Sequence, residues 1–521
     1  MALTSMGTTT WDPLEFELRA EQRYDNPYTD VVVRASFVHD TGEQYEVPGF
    51  WAGEDVWCVR FAPSRPGQWN WEVKNDGDDP GLEGNGKFHA HAYMGANPIK
   101  EHGFLRTASN DRHLVHDDGT PFFWLGDTIW TAPAKATVDE WKRYLTKRTA
   151  QGFNIAQMNS LPQWDTSQPI QRYPFKDHWN LDKPNPEYFN HLDELVAMAH
   201  DRGIFSAFIV LWFNFVPGTR PDDPPNSRHP FTKEQATRYG EYLAARYGPY
   251  GAIWLISGDS DFNEESYPIY EAAAEAIEES ATHPLQTLHM HPSVETPEVA
   301  NKIDWFDFHF YQSSHYFGEG KKLAFQHAEN HRAMEPARPV INGEPVYEAW
   351  GYLDLEGEVK DLLVSRENAR RAAWWSLLAG GNAGITYGAS GMWHWFHQGE
   401  RVFRTALPEP HPWEKALELP AADDYGSIKS FFSRFDFGSL EPRQDVLSSG
   451  EETVRVAEFP NDDVLIAYTP DRRSLTFDEN VSLASAAWLD PASGRRHAAT
   501  TDGRTVAPAP WTGDALLMCP Q

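Results

Sequence analysis

The sequence predicts an α/β fold: a (β/α)8 TIM-type barrel with a small antiparallel β-sandwich at each end of the chain. Three observations predict it. Eight short apolar runs, most of them separated by helical patterns, fill about 300 residues in the middle of the 521-residue chain. Alternating runs divided by Gly/Asp/Pro clusters precede them, and the same pattern returns after about Asp436. No G-x-G-x-x-G follows the first apolar run, which counts against the rival doubly wound sheet. The expected units are 1–94, 95–436 and 437–521.

The elements follow in order. Val31–Phe37 and Trp57–Phe61 alternate as strands of a first sandwich. The expected barrel strands are Phe122–Leu125, Asn154–Met158, Phe205–Trp212, Ile253–Ser257, Gln286–Met290, Trp305–Phe310, Val340–Asn342 and Gly384–Tyr387. Thr137-Val138-Asp139-Glu140 is a capping box opening a helix that stops near Gly152, and Thr232-Lys233-Glu234-Gln235 opens another that closes at Gly248. Further helices are expected over Glu187–Arg202, Tyr267–Ser280, Lys321–Met334, Ser365–Ala379 and Trp413–Phe435. The crossover between the fifth and sixth strands is the weakest, since Pro297–Lys302 offers barely two helical turns. Val454–Glu458, Asp463–Tyr468, Ala486–Leu489 and Ala515–Cys519 form the closing sandwich.

Composition narrows the partners. With 45 Lys+Arg against 76 Asp+Glu, the formal charge is −31, a surface that repels nucleic-acid phosphates and anionic lipid. No nucleic acid or membrane partner is expected, and a homo-oligomer is left open. Residues Met1–Tyr28 carry no basic, apolar leader, and the apolar run Ile204–Val216 is too short to span a bilayer, so a cytoplasmic location is expected. Cys58 and Cys519 cannot build a disulfide framework and are expected to be free thiols. The 21 tryptophans lean toward sugar recognition, because indole faces stack on sugar C–H faces, although they also fill cores.

A parallel barrel presents reactive groups where its strands end in the βα loops. The candidates there are Trp124, Asp127 and Trp130; Gln157 and Asn159; Trp212 and Asn214; Asp259, with Asp261 as its alternate; His289 and His291; His309 and Tyr311; Asn342 and Glu344; and Tyr387, with Trp393 beyond. Carboxylates, amides, imidazoles and indoles with few lysines or arginines suit hydroxyl-rich sugars rather than phosphorylated substrates. A small carbohydrate substrate is therefore expected, with no cofactor. Two carboxyl groups are the chemistry of glycoside hydrolysis: Asp259 is assigned as general acid/base and Glu344 as nucleophile. A separation of about 5–5.5 Å would favour retention of anomeric configuration, and roughly 6.5–9.5 Å inversion.

Phe122–Thr128 (FFWLGDT), Gly152-Phe153-Asn154, Trp254–Asp259 (WLISGD) and Asn342-Gly343-Glu344-Pro345 resemble the apiosidase-like family of glycoside hydrolases. The resemblance implies a barrel flanked by β-domains, with a catalytic Asp in a G-D motif and a Glu in a G-E-P motif, which fall on Asp259 and Glu344. A pentose or furanoside glycone, removed in exo fashion from a small oligosaccharide or glycoside, is suggested by that likeness. Two other readings stand beside it. One is a catalytically silent carbohydrate-binding protein. The other is a metal-dependent hydrolase using His289, His291 and His309, since an H-x-H on a strand puts both rings on one face.

Overall fold

The structure, a computed structural model, describes residues 7–521 apart from 178, 220–228, 293, 314, 316–319, 354–358, 403–408 and 449–451. Three separate hydrophobic cores organise it. The largest belongs to a barrel of eight parallel strands: β1 (Trp124–Thr128), β2 (Ile155–Asn159), β3 (Phe205–Trp212), β4 (Ile253–Gly258), β5 (Gln286–Thr287), β6 (His309–Gln312), β7 (Val340–Glu344) and β8 (Gly384–Tyr387). Hydrogen bonding runs β5-β4-β3-β2-β1-β8-β7-β6, and a single bridge between His289 and Phe310 brings the two edges together. These strands are buried on both faces, which is why each reads as an apolar run rather than an alternation.

Helices pack around the barrel: α1 (Val138–Ala150), α2 (Pro186–His200), α3 (Lys233–Tyr247), α4 (Tyr267–Ser280), α5 (Gly320–Arg332), α6 (Arg366–Leu378) and α7 (Ala421–Phe432). Both expected capping boxes form, at Thr137/Glu140 and Thr232/Gln235. Between β5 and β6 the described residues hold only a 3-10 turn, Ala300–Lys302.

The remaining differences from expectation have local causes. β1 starts at Trp124 because Phe122 belongs to a three-stranded meander (105–107, 114–116, 121–122) whose His116 and Phe122 rings pack on Phe205 at the start of β3. β5 ends at Thr287 rather than Met290. β6 begins at His309, since Asp307 is taken up instead by the Gln286 backbone N–H. The expected Trp413–Phe435 helix breaks into Trp413–Ala416 and α7 at Pro420, which has no N–H to continue the first.

The amino-terminal region pairs a five-stranded sheet (order 8–9, 84–91, 67–75, 33–39, 44–48) with a three-stranded one (14–19, 56–61, 50–53). Phe37, Phe61, Trp69 and Trp71 fill the space between them. Arg60 docks this region onto the barrel: its guanidinium reaches Asp193 of α2 at 2.7 Å, which Arg246 of α3 also grips. The carboxy-terminal region is antiparallel β throughout, and Arg370 of α6 holds it by a bidentate pair with Asp514 (2.6 and 2.9 Å). Cys58 and Cys519 are free and buried. No helix among the described residues is long and apolar enough to cross a membrane.

Candidate active site

The cavity at the carboxyl ends of the strands is lined by fourteen residues, among them Trp130, Trp212, Asp259, His291, Glu344 and Trp393. Among the described residues, no lysine or arginine is in that lining. How Glu344 reaches it is a matter of strand register. Along β7 the side chains alternate: Asn342 points outward, where its amide donates to Ser376 of α6 (2.9 Å), and Gly343 points into the barrel. Strict alternation would send Glu344 outward again. Instead β7 carries one extra residue against β6. Asn342 pairs with Tyr311, whereas Glu344 pairs with Gln312, leaving Gly343 in the bulge. Gln312 faces the cavity, and so does Glu344.

Two features hold the bulge. A Cβ on Gly343 would sit 1.9 Å from the Phe310 ring, so only glycine fits there. Its carbonyl accepts from Gln157 across the barrel (3.0 Å), and Gln157 is fixed in turn by Thr386, which also takes the Trp124 indole N–H (2.9 Å). Trp124 and Gln157 therefore support the floor of the site rather than line it.

The Glu344 carboxylate collects three donors. His289 Nε2 lies 2.8 Å from Oε2, His315 Nε2 lies 3.1 Å from Oε1, and the Tyr347 hydroxyl donates to Oε1. Burial alone would raise the pKa of Glu344, but the hydrogen bonds from His289 and His315 outweigh it and hold the group well below the usual carboxylate range. Tyr347 is held protonated as a donor, since burial and the adjacent carboxylate push its pKa well up. Its oxygen also accepts the Trp130 indole N–H at 3.1 Å.

Asp259 sits just past β4 in the left-handed backbone region (φ 52°), which Asp tolerates better than most residues. Its carboxylate accepts from Gln312, and its backbone N–H donates to His289 Nδ1 at 3.2 Å. That bond assigns the His289 proton to Nε2, the nitrogen facing Glu344. Ligand atoms of Asp259, His289 and Glu344 all lie within 4.8 Å of one another. The trio is a poor cation cage. A metal on Nε2 would need the lone pair there, forcing the proton onto Nδ1 against the Asp259 N–H.

The other expected site residues divide clearly. Trp130, Trp212, His291 and Trp393 line the cavity, and fully buried His289 stands behind Glu344. Asp127 does not contact the cavity, contrary to expectation: it lies on the outer face of β1, fully buried in an ion pair with Arg148 of α1 (2.6 Å). Tyr387 likewise points outward, to Glu348 (2.6 Å), and Tyr311 to the Ala324 carbonyl (2.7 Å). His309 is fully buried and packs against the tilted ring of His331 of α5, so His289, His291 and His309 do not converge. Asn342 is taken by Ser313 and Ser376, and Asn214 is buried within the 3-10 turn Phe213–Phe215 that follows β3. Asn159 reaches Gln163 instead of the cavity.

Sequence reasoning missed Gln163, Trp164, Asp165, Gln312, His315, Tyr347 and Trp350, all in the lining. Most sit in loops past the strand ends. The Gln163-Trp164-Asp165 cluster, an indole between polar groups, was the available signal.

Two carboxyl groups within reach of each other, under indole walls at the mouth of a parallel barrel, place the chain among glycoside-hydrolase-like proteins. Residues 108–439 match the model of apiosidase-like catalytic domains, and the chain belongs to that family. Residues 7–76 match a domain of unknown function, DUF5060. Among solved structures, one described as a glycoside hydrolase is 26% identical, with a TM-score of 0.69, covering 82% of this chain and 98% of its own. A family 5 glycoside hydrolase of Bacteroides vulgatus is 25% identical, with a TM-score of 0.70 over 82% of this chain and 94% of its own. A second Bacteroides vulgatus structure, described provisionally as a glycoside hydrolase, has a TM-score of 0.71 over 98% of this chain and 99% of its own; at 16% identity it speaks for the fold alone. No curated protein matches the chain.

Proposed function

We propose that the protein is an exo-acting, retaining glycosidase that releases a terminal neutral sugar from a small oligosaccharide or glycoside. One observation carries the reading: one carboxylate oxygen of Asp259 comes within 4.8 Å of one of Glu344, with Glu344 held ionised by three donors. That spacing suits double displacement, because inversion needs room for a water between the carboxyl groups. Glu344 attacks the anomeric carbon and forms a glycosyl ester as the C–O bond to the leaving group breaks, and protonated Asp259 gives its proton to the departing oxygen. Asp259, now a carboxylate, takes a proton from water; that water attacks the anomeric carbon and releases Glu344.

The open part of the cavity is small, about 90 Å³, which favours one buried ring over an extended chain. With carboxylates and, among the described residues, no lysine or arginine in its lining, the cavity disfavours uronic acids and sugar phosphates. A pentose or furanoside glycone is supported by the family alone. The test is a panel of 4-nitrophenyl glycosides, pentofuranosides included, with the first-formed anomer followed by proton NMR. Release of nitrophenol with retained configuration is expected; binding without cleavage would select a non-catalytic sugar-binding protein.

A further inference from the structure

Gln312 lines the cavity, yet neither the attack by Glu344 nor the proton transfer by Asp259 gives it a task. Its place follows from β6, where the alternation is unbroken. His309 and Tyr311 face the helix layer, against His331 and the Ala324 carbonyl, so Phe310 and Gln312 face inward. On the neighbouring strand the bulge at Gly343 brings Glu344 into register with Gln312. The residue beside the nucleophile therefore has its side chain, 4% exposed, in the same cavity, and donates from Nε2 to Asp259 Oδ1.

The backbone of Asp259 is already fixed. It lies one residue past β4, and a Cβ on the preceding Gly258 would come 2.2 Å from the Trp212 ring. Its own N–H meets His289 Nδ1 (3.2 Å), and the carbonyl of the next residue, Ser260, accepts from the His291 N–H (3.1 Å). These bonds place the Cα but leave two side-chain torsions to aim the carboxyl. The Gln312 amide reaches that carboxyl from β6, two strands further round the barrel. Aim matters, because an acid protonates a leaving oxygen only within hydrogen-bond reach, and a displacement of about 1 Å costs roughly 100-fold in rate.

We propose that Gln312 is a positioning residue of the acid/base, its amide keeping the Asp259 carboxyl turned toward the departing oxygen. The proposal rests on the glycosidase reading. As the glycosidic C–O bond breaks, the proton passes from Asp259 to that oxygen; Gln312 donates a hydrogen bond to the carboxyl throughout and neither gains nor loses a proton. An aglycone that leaves as a stable anion needs little of this help, whereas a basic one needs all of it. Loss of Gln312 should therefore be graded by the leaving group.

The experiment measures kcat/KM, which reports the first step, on phenyl, 4-nitrophenyl and 2,4-dinitrophenyl glycosides of the sugar the panel selects. Gln312→Met keeps the length and volume of the side chain without its amide. It is expected to keep its melting temperature, to lose about 30-fold on the phenyl glycoside and to stay within about threefold on the dinitrophenyl one. In an Asp259→Asn background the same substitution should change the phenyl rate by less than about twofold, because the group it acts through is gone. Gln312→Asn, whose shorter amide falls short of Asp259, should show the same grading and serves if the Met variant fails to fold. An equal loss on all three aglycones, no loss, or a full further loss in the Asp259→Asn background overturns the assignment, while wild-type turnover keeps the glycosidase reading intact. A wild type that cleaves no member of the panel overturns both.

Discussion

Strands β1 and β7 flank β8 in the same sheet, and each carries a buried carboxylate in its last two residues, yet they use it in opposite ways. Asp127 follows unbroken alternation. Trp124 and Gly126 face inward, so Asp127 faces the helix layer, where a full cation, Arg148, answers it. Glu344 is turned inward by one extra residue in its strand, and hydrogen-bond donors answer it instead. A pair sealed inside protein is structural. A carboxylate held ionised at the edge of a cavity keeps an oxygen near whatever enters. Both lie near the carboxyl end of a barrel strand; the bulge turns Glu344 inward where alternation leaves Asp127 outward.

The largest effect should come from removing the inward carboxylate. Glu344→Gln is expected to lower kcat about 10⁴-fold with the melting temperature nearly kept, read by turnover and calorimetry on one preparation. The outward carboxylate should behave in reverse. Asp127→Asn leaves Arg148 charged and unpaired in the interior, at about 3 kcal/mol of stability in denaturant unfolding, while kcat of the folded enzyme stays within about twofold. Adding Arg148→Met to Asp127→Leu should recover most of that loss; an equal fall in kcat for both strands would erase the contrast.

Next in size is the bulge. Gly343→Ala sets a Cβ against Phe310, at about 1–3 kcal/mol, and tilts Glu344 from its donors. Phe310→Leu in the same chain should restore part of both stability and turnover, and a purely additive double variant would argue against the contact.

The smallest effect lies at the rim. His397, in the loop after β8, meets Glu140 at 2.9 Å and Glu400 at 3.1 Å. The hydrogen bond to Glu140 is the chief cause that raises the His397 pKa above its ordinary value. Burial would raise Glu140, but His397, the Thr137 N–H and Trp395 outweigh it and bring Glu140 down to about 2. A raised histidine pKa gives stability that is complete below the unfolded value near 6.5 and fades as pH rises through the folded value. His397→Gln should therefore cost more stability at pH 5.5 than at pH 9, by up to about 1 kcal/mol in denaturant unfolding. An equal shift at both pH values would remove the charge from the explanation.

Much of this was readable before any coordinates. Parallel strands buried on both faces write themselves as apolar runs, and capping boxes at Thr137 and Thr232 mark helix starts by chemistry that needs no tertiary context. Asp259 and Glu344 were found as strand-end acids in two motifs, and they come together. What the residues could not reveal was direction. Tyr311, Asn342 and Tyr387 lie in the carboxyl halves of their strands but on the helix-facing side, and His309 opens β6 instead of closing it; which side a residue faces depends on where each strand starts its alternation. β5 was harder still: it ends at Thr287, so the His289/His291 spacing does not translate into a shared strand face. His315, Tyr347 and Asp165 come from loops, whose path is set by packing such as the Tyr188 and Tyr239 contacts to Ser160 rather than by any local pattern.

The most direct measurement is to trap the covalent intermediate. A 2-deoxy-2-fluoro glycoside with a good leaving group, made from the glycone the panel selects, slows release of the sugar more than its capture. Peptide mass spectrometry should then find one sugar per chain, esterified on Glu344. A label on Asp259 or elsewhere, or an unlabelled enzyme whose product has inverted configuration, would contradict the account.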